Sequence, residues 1–304
     1  MKEITILSGK GGTGKTSISA ALGALTRDAI LCDSDVDAAD LHLLMQPKFK
    51  EKHVFLGAWV ASINTNKCSA CKRCAGYCRF NAIHTNSRGD FYINPFQCEG
   101  CRLCERICPE NAITSLQSQE NHWFISKTRF GTMVHAAMGP GEENSGKLVT
   151  HVRKKAREQA NIEKAGFIIN DGPPGIGCAT IASLSGTNAV LLVIEPTKSG
   201  LHDIKRLVEL IKQFSIPPYA IINKYDINDE MTGAIESYLN LESIPLLGKI
   251  PFSEHMVEAM LQKKTIVEFD KGTAITDVLK NVWNHLQKKI MDNDKFRTIQ
   301  KKTG

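Results

Sequence analysis

The stretch from Ile4 to Thr16, ITILSGKGGTGKT, decides the fold of this chain. It opens with an apolar run that predicts a strand over residues 3–7, passes through a glycine-rich loop, and leads into a helical pattern over residues 14–26. Within it, Gly9-x4-Gly14-Lys15-Thr16 has the spacing of a phosphate-binding loop, whose backbone N–H groups and helix N-terminus face phosphate oxygens. A chance glycine-rich turn is the alternative, and the strand before it and the helix after it argue against that reading.

Outside this loop the chain alternates apolar strand runs with helical patterns. Further strands are predicted at 29–33, 167–171, 188–194, 218–223 and 244–250, with an extended hairpin over 123–137. Helices are predicted at 146–164, 200–213, 229–240 and 272–290. This alternation predicts an α/β fold with a mainly parallel sheet and helices on both faces.

A cysteine-rich segment interrupts the alternation. Two C-x2-C-x2-C-x3-C runs begin at Cys68 and Cys98, and an internal repeat of 30 residues also maps Asn81-Ala82-Ile83 onto Asn111-Ala112-Ile113. Because a segment this short buries little apolar surface, we expect bound metal to stabilise it. The predicted organisation is an α/β domain of residues 1–62 and 118–291, an insert of residues 63–117, and a polar tail of residues 292–304.

The two cysteine runs resemble those of bacterial two-cluster ferredoxins, in which the fourth cysteine of each run binds the other cluster. The resemblance implies an α+β, ferredoxin-like insert with two [4Fe–4S] clusters. The implied ligand sets are Cys68, Cys71, Cys74 and Cys108 for one cluster, and Cys98, Cys101, Cys104 and Cys78 for the other. Zinc is the alternative metal, because paired C-x2-C units also form zinc sites. Pro109 follows the last cysteine of the second run as the pattern expects, whereas Arg79 replaces that proline in the first run.

The loop carries an additional lysine, Lys10, before Lys15. With it, the motif resembles that of the MinD/ParA family of P-loop ATPases, which includes the nitrogenase iron protein and Mrp-type iron–sulfur carriers. In that family the early lysine reaches the nucleotide of the partner subunit. The resemblance therefore implies a homodimer assembled around two ATP molecules with Mg²⁺.

Other residues match the same family in order along the chain. By resemblance, Asp33 and Asp35 correspond to the switch I acids, Asp171-Gly172-Pro173-Pro174-Gly175 to Walker B and switch II, and Asn223-Lys224 to a segment that contacts adenine. The implied catalytic residues are Lys10, Lys15, Asp35 and Asp171, and the implied Mg²⁺ ligands are Thr16, Asp33 and Asp171. The implied nucleotide contacts are Gly11, Gly12, Thr13, Gly14, Lys15, Thr16, Ser17, Asn223 and Lys224. Asp40 departs from the family, in which many members have asparagine.

Two further cysteines and the last helix carry weaker signals. Cys32 lies in a strand run and is expected in the core, and Cys178 is expected to be a buried structural thiol. The pattern over 272–290 has one apolar face, for which packing on the sheet is the favoured explanation and membrane binding the alternative. The loop 138–147 is predicted to be either a plain connection or a loop that closes over a partner or substrate.

Composition excludes several classes of protein. The chain has 304 residues, a net charge of +6 and a hydrophobic fraction of 42%, which are ordinary values for a globular protein. Its basic residues are spread out, so nucleic-acid binding is not indicated, and no apolar run reaches the roughly 20 residues that span a bilayer. Because no signal-peptide pattern is present and cluster thiolates persist in a reducing compartment, we expect a cytoplasmic protein.

The function predicted from these features is a dimeric ATPase that couples nucleotide state to electron transfer, or to iron–sulfur or metallocofactor handling, for a redox or metallocofactor partner protein. A spatial organiser that binds membrane or DNA, with the clusters as a redox sensor, is one alternative. An electron-transfer adaptor with a vestigial nucleotide site is the other.

Overall fold

The fold is seen in a computed structural model that describes residues 1–26, 28–140 and 145–302, with side chains described as far as Met291. Two compact units divide the chain: one comprises Met1–Lys52, Phe124–Ala136 and the residues from Ser145 onward, and the other comprises His53–Trp123 and the described residues from Ala137. In the described part of the chain, no helix is both long enough and apolar enough to cross a bilayer.

The strands and helices follow one another with short connections. The strands are β1 Lys2–Leu7, β2 Ala29–Asp33, β3 Lys48–Phe55, β4 Trp59–Ile63, β5 Ile83–Thr85, β6 Phe91–Ile93, β7 Ile113–Gln117, β8 Asn121–Thr128, β9 Gly131–Ala137, β10 Phe167–Asp171, β11 Ala189–Ile194, β12 Pro218–Asn223 and β13 Leu246–Ile250. The helices are α1 Lys15–Leu25, α2 Leu41–Met45, α3 Arg73–Tyr77, α4 Leu103–Ile107, α5 Ser145–Glu163, α6 Cys178–Leu184, α7 Lys198–Gln213, α8 Asp229–Leu241, α9 Glu254–Leu261, α10 Ile266–Phe269 and α11 Ala274–Lys302.

The first unit is built on a large sheet with the strand order β13-β12-β11-β1-β10-β2-β9-β8-β3. The pairs from β13 to β9 are parallel, so the expected mainly parallel α/β sheet is confirmed. The register places Ile6 beside Asp171 and Asp171 beside Asp33, which brings the carboxyl ends of three adjacent strands together. Ligands of open α/β sheets bind at such an edge.

Helices cover both faces of this sheet because its central strands are apolar on both sides. In β11, Leu191 and Val193 pack with α1 and α11 on one face, whereas Val190 and Leu192 pack with α7 and α8 on the other. This alternation follows from the two-residue period of a strand. Trp283 of α11 lies in the core with its ring edge against Phe167, so the apolar face of this helix packs on the sheet.

The second unit contains two small antiparallel sheets, in which β4 pairs with β7 and β5 pairs with β6. The order strand, cysteine loop, short helix, strand occurs twice, as β4-α3-β5 and as β6-α4-β7. The 30-residue sequence repeat is therefore also a repeat of secondary structure.

Several boundaries differ from the sequence expectations. Helix α11 continues to Lys302, where the sequence predicted a helix ending at 290 and a polar tail. The extended hairpin over 123–137 consists of β8 and β9, which are neighbours in the sheet. Part of the loop 138–147 lies outside the described residues, and α5 begins at Ser145.

Candidate functional site

The phosphate-binding loop connects β1 to α1 and forms one wall of a cavity of about 400 Å³. Its backbone adopts positive φ values at Gly12 and Gly14, a conformation that glycine allows at little cost. A Cβ atom at Gly14 would also collide with the side-chain amide of Asn223, which donates to the Thr13 carbonyl oxygen at 2.8 Å. The loop conformation therefore depends both on glycine and on the end of β12.

The cavity is lined by all nine of the predicted nucleotide contacts and by an apolar wall that the sequence did not predict. Its lining residues are Ser8, Gly11, Gly12, Thr13, Gly14, Lys15, Thr16, Ser17, Asp35, Ala38, Asp40, Pro174, Asn223, Lys224, Pro251, Phe252, Ser253, Met256, Val257 and Met260. A polar loop on one side and an apolar wall on the other suit a ligand with a charged end and a flat apolar end.

Lys15 lies at the centre of the polar side and is almost fully buried. Its ammonium Nζ is 2.9 Å from Oδ1 of Asp171 and 3.3 Å from Oδ2 of Asp35. Burial alone would lower the pKa of Lys15, but the charges of these two carboxylates outweigh it and the pKa is raised. Lys15 is therefore held as a cation at the place where phosphates would bind.

Asp171 is the hub of the polar contacts. The hydroxyl of Thr16 donates to its Oδ2 at 2.8 Å, and the hydroxyl of Ser19 donates to its Oδ1 at 2.7 Å. Thr16 and Asp171 therefore place two oxygen donors side by side, the donor type that Mg²⁺ prefers. Ser19 was missed in the sequence, although its position one helical turn after Lys15 places it on the same face of α1.

The two switch I acids occupy different environments. Asp35 lines the cavity, and burial raises its pKa although the neighbouring Lys15 lowers it. Asp33 is fully buried and accepts hydrogen bonds from the backbone N–H groups of Asp35 and Leu41, both at 3.2 Å. Burial, followed by the charge of Asp171, raises the pKa of Asp33 well above its usual range. Asp33 shapes the loop after β2 and is not among the residues that line the cavity.

Lys10 is bound within its own chain by Glu195, a residue that the sequence did not single out. Its Nζ is 3.0 Å from Oε2 of Glu195 and 3.2 Å from the Thr197 hydroxyl. The other oxygen of Glu195 pairs with Lys224 at 2.8 Å, and Lys224 also donates to the Gly12 carbonyl oxygen at 3.2 Å. Burial would raise the pKa of Glu195, but the hydrogen bonds from the two lysines lower it. Glu195 therefore balances two cations beside the phosphate loop.

The apolar wall comes from α9 and the residues just before it. Phe252, Val257 and Met260 are about half exposed although they are apolar, and they face the cavity. The backbone N–H of Phe252 donates to Oδ1 of Asp226 at 2.7 Å, which fixes the start of this wall. Such a wall suits a planar nucleobase.

The two remaining cysteines differ from each other. Cys32 is fully buried in β2, so the expectation of a core thiol is confirmed. The expectation of a buried structural thiol at Cys178 is wrong, because this residue begins the short helix α6 after the glycine-rich segment 172–177 and is exposed. A cysteine at the first position of a short helix has no preceding turn to cover it.

In the second unit, two small cavities are each lined by one of the cysteine sets that the ferredoxin resemblance implies. The first is lined by Cys68, Cys71, Cys74 and Cys108. The second is lined by Cys98, Cys101, Cys104 and Cys78, and also by Cys74. The fourth cysteine of each run therefore faces the cavity of the other run. Among the described residues, no three Cys, His, Asp or Glu side chains form a group that fits a single metal ion.

The backbone around the two cavities repeats in detail. Residues 70, 72 and 81 have positive φ values, and so do residues 100, 102 and 111, each 30 residues later. Five of these six residues are not glycine, so this conformation costs free energy and persists only where the surrounding structure enforces it. Each repeat also directs a backbone N–H at its fourth sulfur, from Ala82 to Cys78 at 3.5 Å and from Ala112 to Cys108 at 3.3 Å.

Two thiols of the unit, those of Cys74 and Cys104, have raised pKa values. Burial raises the pKa of Cys104 to about 11 and also raises the pKa of Cys74. A coordinated metal deprotonates a thiol outright. Two sets of four thiols, each around a cavity and with N–H donors to sulfur, fit the ligand requirement of iron–sulfur clusters.

Comparison with known proteins was made for sequence and for structure. Residues 4–266 match the family described as the CobQ/CobB/MinD/ParA nucleotide binding domain. An uncharacterized protein of Methanocaldococcus jannaschii is 32% identical over 288 residues, which cover 94% of this chain and 96% of that protein. An iron-sulfur cluster carrier protein of Pyrococcus horikoshii is 29% identical over 128 residues, which cover 38% of this chain and 43% of that protein.

Among solved structures, the septum site-determining protein MinD of Pyrococcus horikoshii, complexed with Mg-ADP, superposes with a TM-score of 0.56 at 18% identity. The superposition covers 94% of this chain and 95% of that chain, and at this identity it shows a shared fold. The family match covers most of the chain and contains the phosphate loop, Asp171 and the cavity wall up to α9. The chain belongs to the CobQ/CobB/MinD/ParA nucleotide-binding family.

Proposed function

We propose that this protein binds and hydrolyses ATP as a homodimer and couples its nucleotide state to electron transfer, or to iron–sulfur or metallocofactor handling for a partner protein, through two [4Fe–4S] clusters. The observation that carries the proposal is that one chain contains a cavity lined by a phosphate-binding loop and two further cavities, each lined by one complete set of four implied cysteine ligands. Neither a plain nucleotide switch nor a plain ferredoxin needs both.

The proposed nucleotide chemistry follows from the contacts around Lys15. Its ammonium pairs with Asp171 and Asp35, so an ATP polyphosphate would take over as its anionic partner. The Thr16 hydroxyl and Asp171 would hold Mg²⁺, and Asp33, which accepts a hydrogen bond from the backbone of Asp35, would help to position it. Asp35, at the cavity surface, would orient the attacking water.

The proposed cluster sites use the chain's own thiolates. Cys68, Cys71, Cys74 and Cys108 would hold one cluster and Cys98, Cys101, Cys104 and Cys78 the other, and the clusters supply one-electron transfer when bound. The chain contributes ligands, N–H donors to Cys78 and Cys108, and a backbone already bent around each cavity. The 63–117 segment would thus be a ferredoxin-like domain inserted between residues 1–62 and 118–291.

The proposed dimer rests on Lys10. Only about a third of this side chain is exposed, and it is paired with Glu195. Reaching the nucleotide of a second subunit would require Lys10 to leave Glu195. Dimerisation is therefore expected to depend on ATP.

The test is to purify the protein without oxygen and to measure iron and ATP hydrolysis. We expect about eight iron atoms per chain, as two [4Fe–4S] clusters require. Lys15→Ala should abolish ATP hydrolysis and leave the iron content unchanged. Cys104→Ser should lower the iron content, whereas the matched control Cys178→Ser should not, because Cys178 is exposed and far in sequence from both runs. Zinc in place of iron, or hydrolysis that survives Lys15→Ala, would contradict the proposal.

A spatial organiser remains the second candidate because the shared fold includes a septum site-determining protein. Cosedimentation with liposomes and with DNA in the presence of ATP separates the two functions. The redox function expects no ATP-dependent binding to either. A third candidate, an adaptor with a vestigial nucleotide site, expects no measurable binding of ATP.

A further inference from the structure

The two repeats of the second unit, called its first and second halves, have the same backbone conformation but carry opposite net charge. The segment Lys67–Phe80 contains Lys67, Lys72, Arg73 and Arg79 and no acidic residue, a net charge of +4. The equivalent segment Gln97–Glu110 contains Glu99, Glu105 and Glu110 against Arg102 and Arg106, a net charge of −1. Metal binding by itself requires no such difference, because both halves supply four cysteines in the same geometry.

The basic side chains of the first half are exposed to solvent and are not used in ion pairs among the described residues. Lys67, Lys72, Arg73 and Arg79 are all exposed, and within the described residues none of them forms an ion pair. In the second half, Arg102 pairs with Glu105 at 2.9 Å and stacks over Trp59 at 4.2 Å. The second half therefore uses an equivalent cation internally, and the first half presents its cations to solvent.

Exposed aromatic side chains accompany these cations. Tyr77 is 61% exposed and Phe80 is 42% exposed, and both line the cavity of the second cysteine set. Lys72 and Arg73 line the cavity of the first set. Aromatic residues with arginine at their border are typical of the centre of a protein–protein interface.

We propose that the segment Lys67–Phe80, which borders both cysteine cavities, is a docking surface for an acidic redox protein that would exchange one electron with a cluster bound there. This inference rests on the proposed function. A basic, partly aromatic surface complements an acidic protein and accelerates its encounter by long-range attraction. In the exchange, the reduced acidic protein would lose one electron and the bound cluster would accept it, and no bond would form or break.

The experiment uses the full-length, iron-loaded protein and, as the probe, a [2Fe–2S] ferredoxin of net negative charge. The dissociation constant is measured by titration calorimetry at low and at high salt, and electron transfer from the reduced probe is followed by stopped-flow absorbance. Arg73→Glu is compared with Arg106→Glu, since both residues are exposed, lie on equivalent short helices and change the charge equally. Iron content and ATP hydrolysis are measured for each variant.

We expect Arg73→Glu to weaken probe binding by roughly tenfold at low salt, to slow electron transfer in parallel, and to have a smaller effect at high salt. Arg106→Glu should change the dissociation constant by less than about twofold. Equal effects of the two variants, or binding that does not depend on salt, would overturn the docking surface. Tighter binding of a short DNA duplex or of anionic vesicles than of the ferredoxin would also overturn it. Failure of the proposed function is seen separately, as a chain that binds no iron.

Discussion

At the scale of single residues, Glu195 organises the charges beside the phosphate loop. One carboxylate pairs with both Lys10 and Lys224, and Lys224 also contacts the carbonyl oxygen of Gly12. Lys10, which the proposed dimer would need between subunits, is therefore held by its own subunit. Forming the proposed dimer has to break this ion pair, so the pair opposes dimerisation.

We predict that Glu195→Gln strengthens ATP-dependent dimerisation. In Glu195→Gln neither subunit has to break this partly exposed ion pair, which removes an opposing free energy of about 1 kcal/mol per subunit, about 2 kcal/mol per dimer, and lowers the protein concentration at half-dimerisation by roughly 30-fold. Sedimentation velocity with ATP measures this concentration. Lys10→Ala is the control and should prevent dimerisation. A Glu195→Gln protein that dimerises more weakly than the wild type would contradict this role.

A second residue-scale prediction concerns His135 of β9. Its Nε2 is 2.9 Å from the Ser126 hydroxyl, and burial, with a smaller contribution from the charge of His42, lowers its pKa from 6.5 to about 4. The unfolded chain therefore binds a proton between these pH values that the folded chain does not bind. The contribution of His135 to the free energy of unfolding is fully present above pH 6.5 and is lost as the pH falls towards 4, a loss of about 3 kcal/mol.

Urea unfolding at several pH values, followed by tryptophan fluorescence, tests this prediction. The fall in the free energy of unfolding between pH 7 and pH 4 should be about 3 kcal/mol smaller in His135→Gln than in the wild type. His202→Gln is the control, because His202 is exposed, and it should behave as the wild type does. Parallel pH profiles for the wild type and His135→Gln would contradict the prediction.

At the scale of elements, the conformation of the phosphate loop depends on one particular glycine. Gly14 has a φ of 89°, and a Cβ there would meet the Asn223 amide, whereas a Cβ at Gly11 would have nothing within 4 Å. We predict that Gly14→Ala costs about 1–3 kcal/mol of stability without nucleotide and that Gly11→Ala costs less than about 0.5 kcal/mol. Urea unfolding measures both. Equal stabilities would show that the contact between the loop and β12 does not constrain the loop.

Helix α9 supplies part of the apolar wall, and two adjacent residues of this helix, Met260 and Leu261, provide a matched test. Met260 lines the cavity, whereas Leu261 is 78% exposed and does not line it. Met260→Ala should weaken ATP binding by roughly tenfold, the contribution of a partly buried side chain to base packing, and should leave tripolyphosphate binding unchanged. Leu261→Ala should affect neither ligand, as measured by calorimetry. Equal weakening of both ligands by Met260→Ala would place Met260 outside the base site.

The elements that could be predicted from the sequence are those that local patterns determine. Glycine spacing after an apolar run indicated β1, the loop and α1, and apolar runs indicated the central strands. Strand β3 was not predicted, because its sequence KFKEKHVF carries the lysines that protect an edge strand and has little apolar character. The apolar wall was missed because more than 230 residues separate it from the loop that it faces.

Residue roles were harder to predict than elements for the same reason. Glu195 follows an apolar strand without any motif, and only the sheet order brings it to Lys10. Cys178 was expected to be buried but is exposed. The prediction failed because the sequence gives no measure of how a short helix is covered. The cysteine sets are different: spacing and resemblance implied two exchanged sets of four, and each set lines its own cavity.

At the scale of the whole molecule, the chain order places the cysteine-rich segment between Asp35 and Asp171. Both acids contact Lys15, so both are expected to respond when a polyphosphate takes their place. The strands that lead into and out of the second unit, β3 and β8, belong to the same large sheet as β2 and β10.

The central claim, that nucleotide state and redox state are coupled, is tested most directly by a redox titration of the clusters, monitored by electron paramagnetic resonance, with and without a non-hydrolysable ATP analogue. Coupling predicts that the analogue shifts at least one midpoint potential by about 60 mV, a tenfold change in the equilibrium constant of a one-electron couple. Lys15→Ala should show the same potentials under both conditions. Identical potentials with and without the analogue in the wild-type protein, with iron content and ATP binding intact, would contradict the claim.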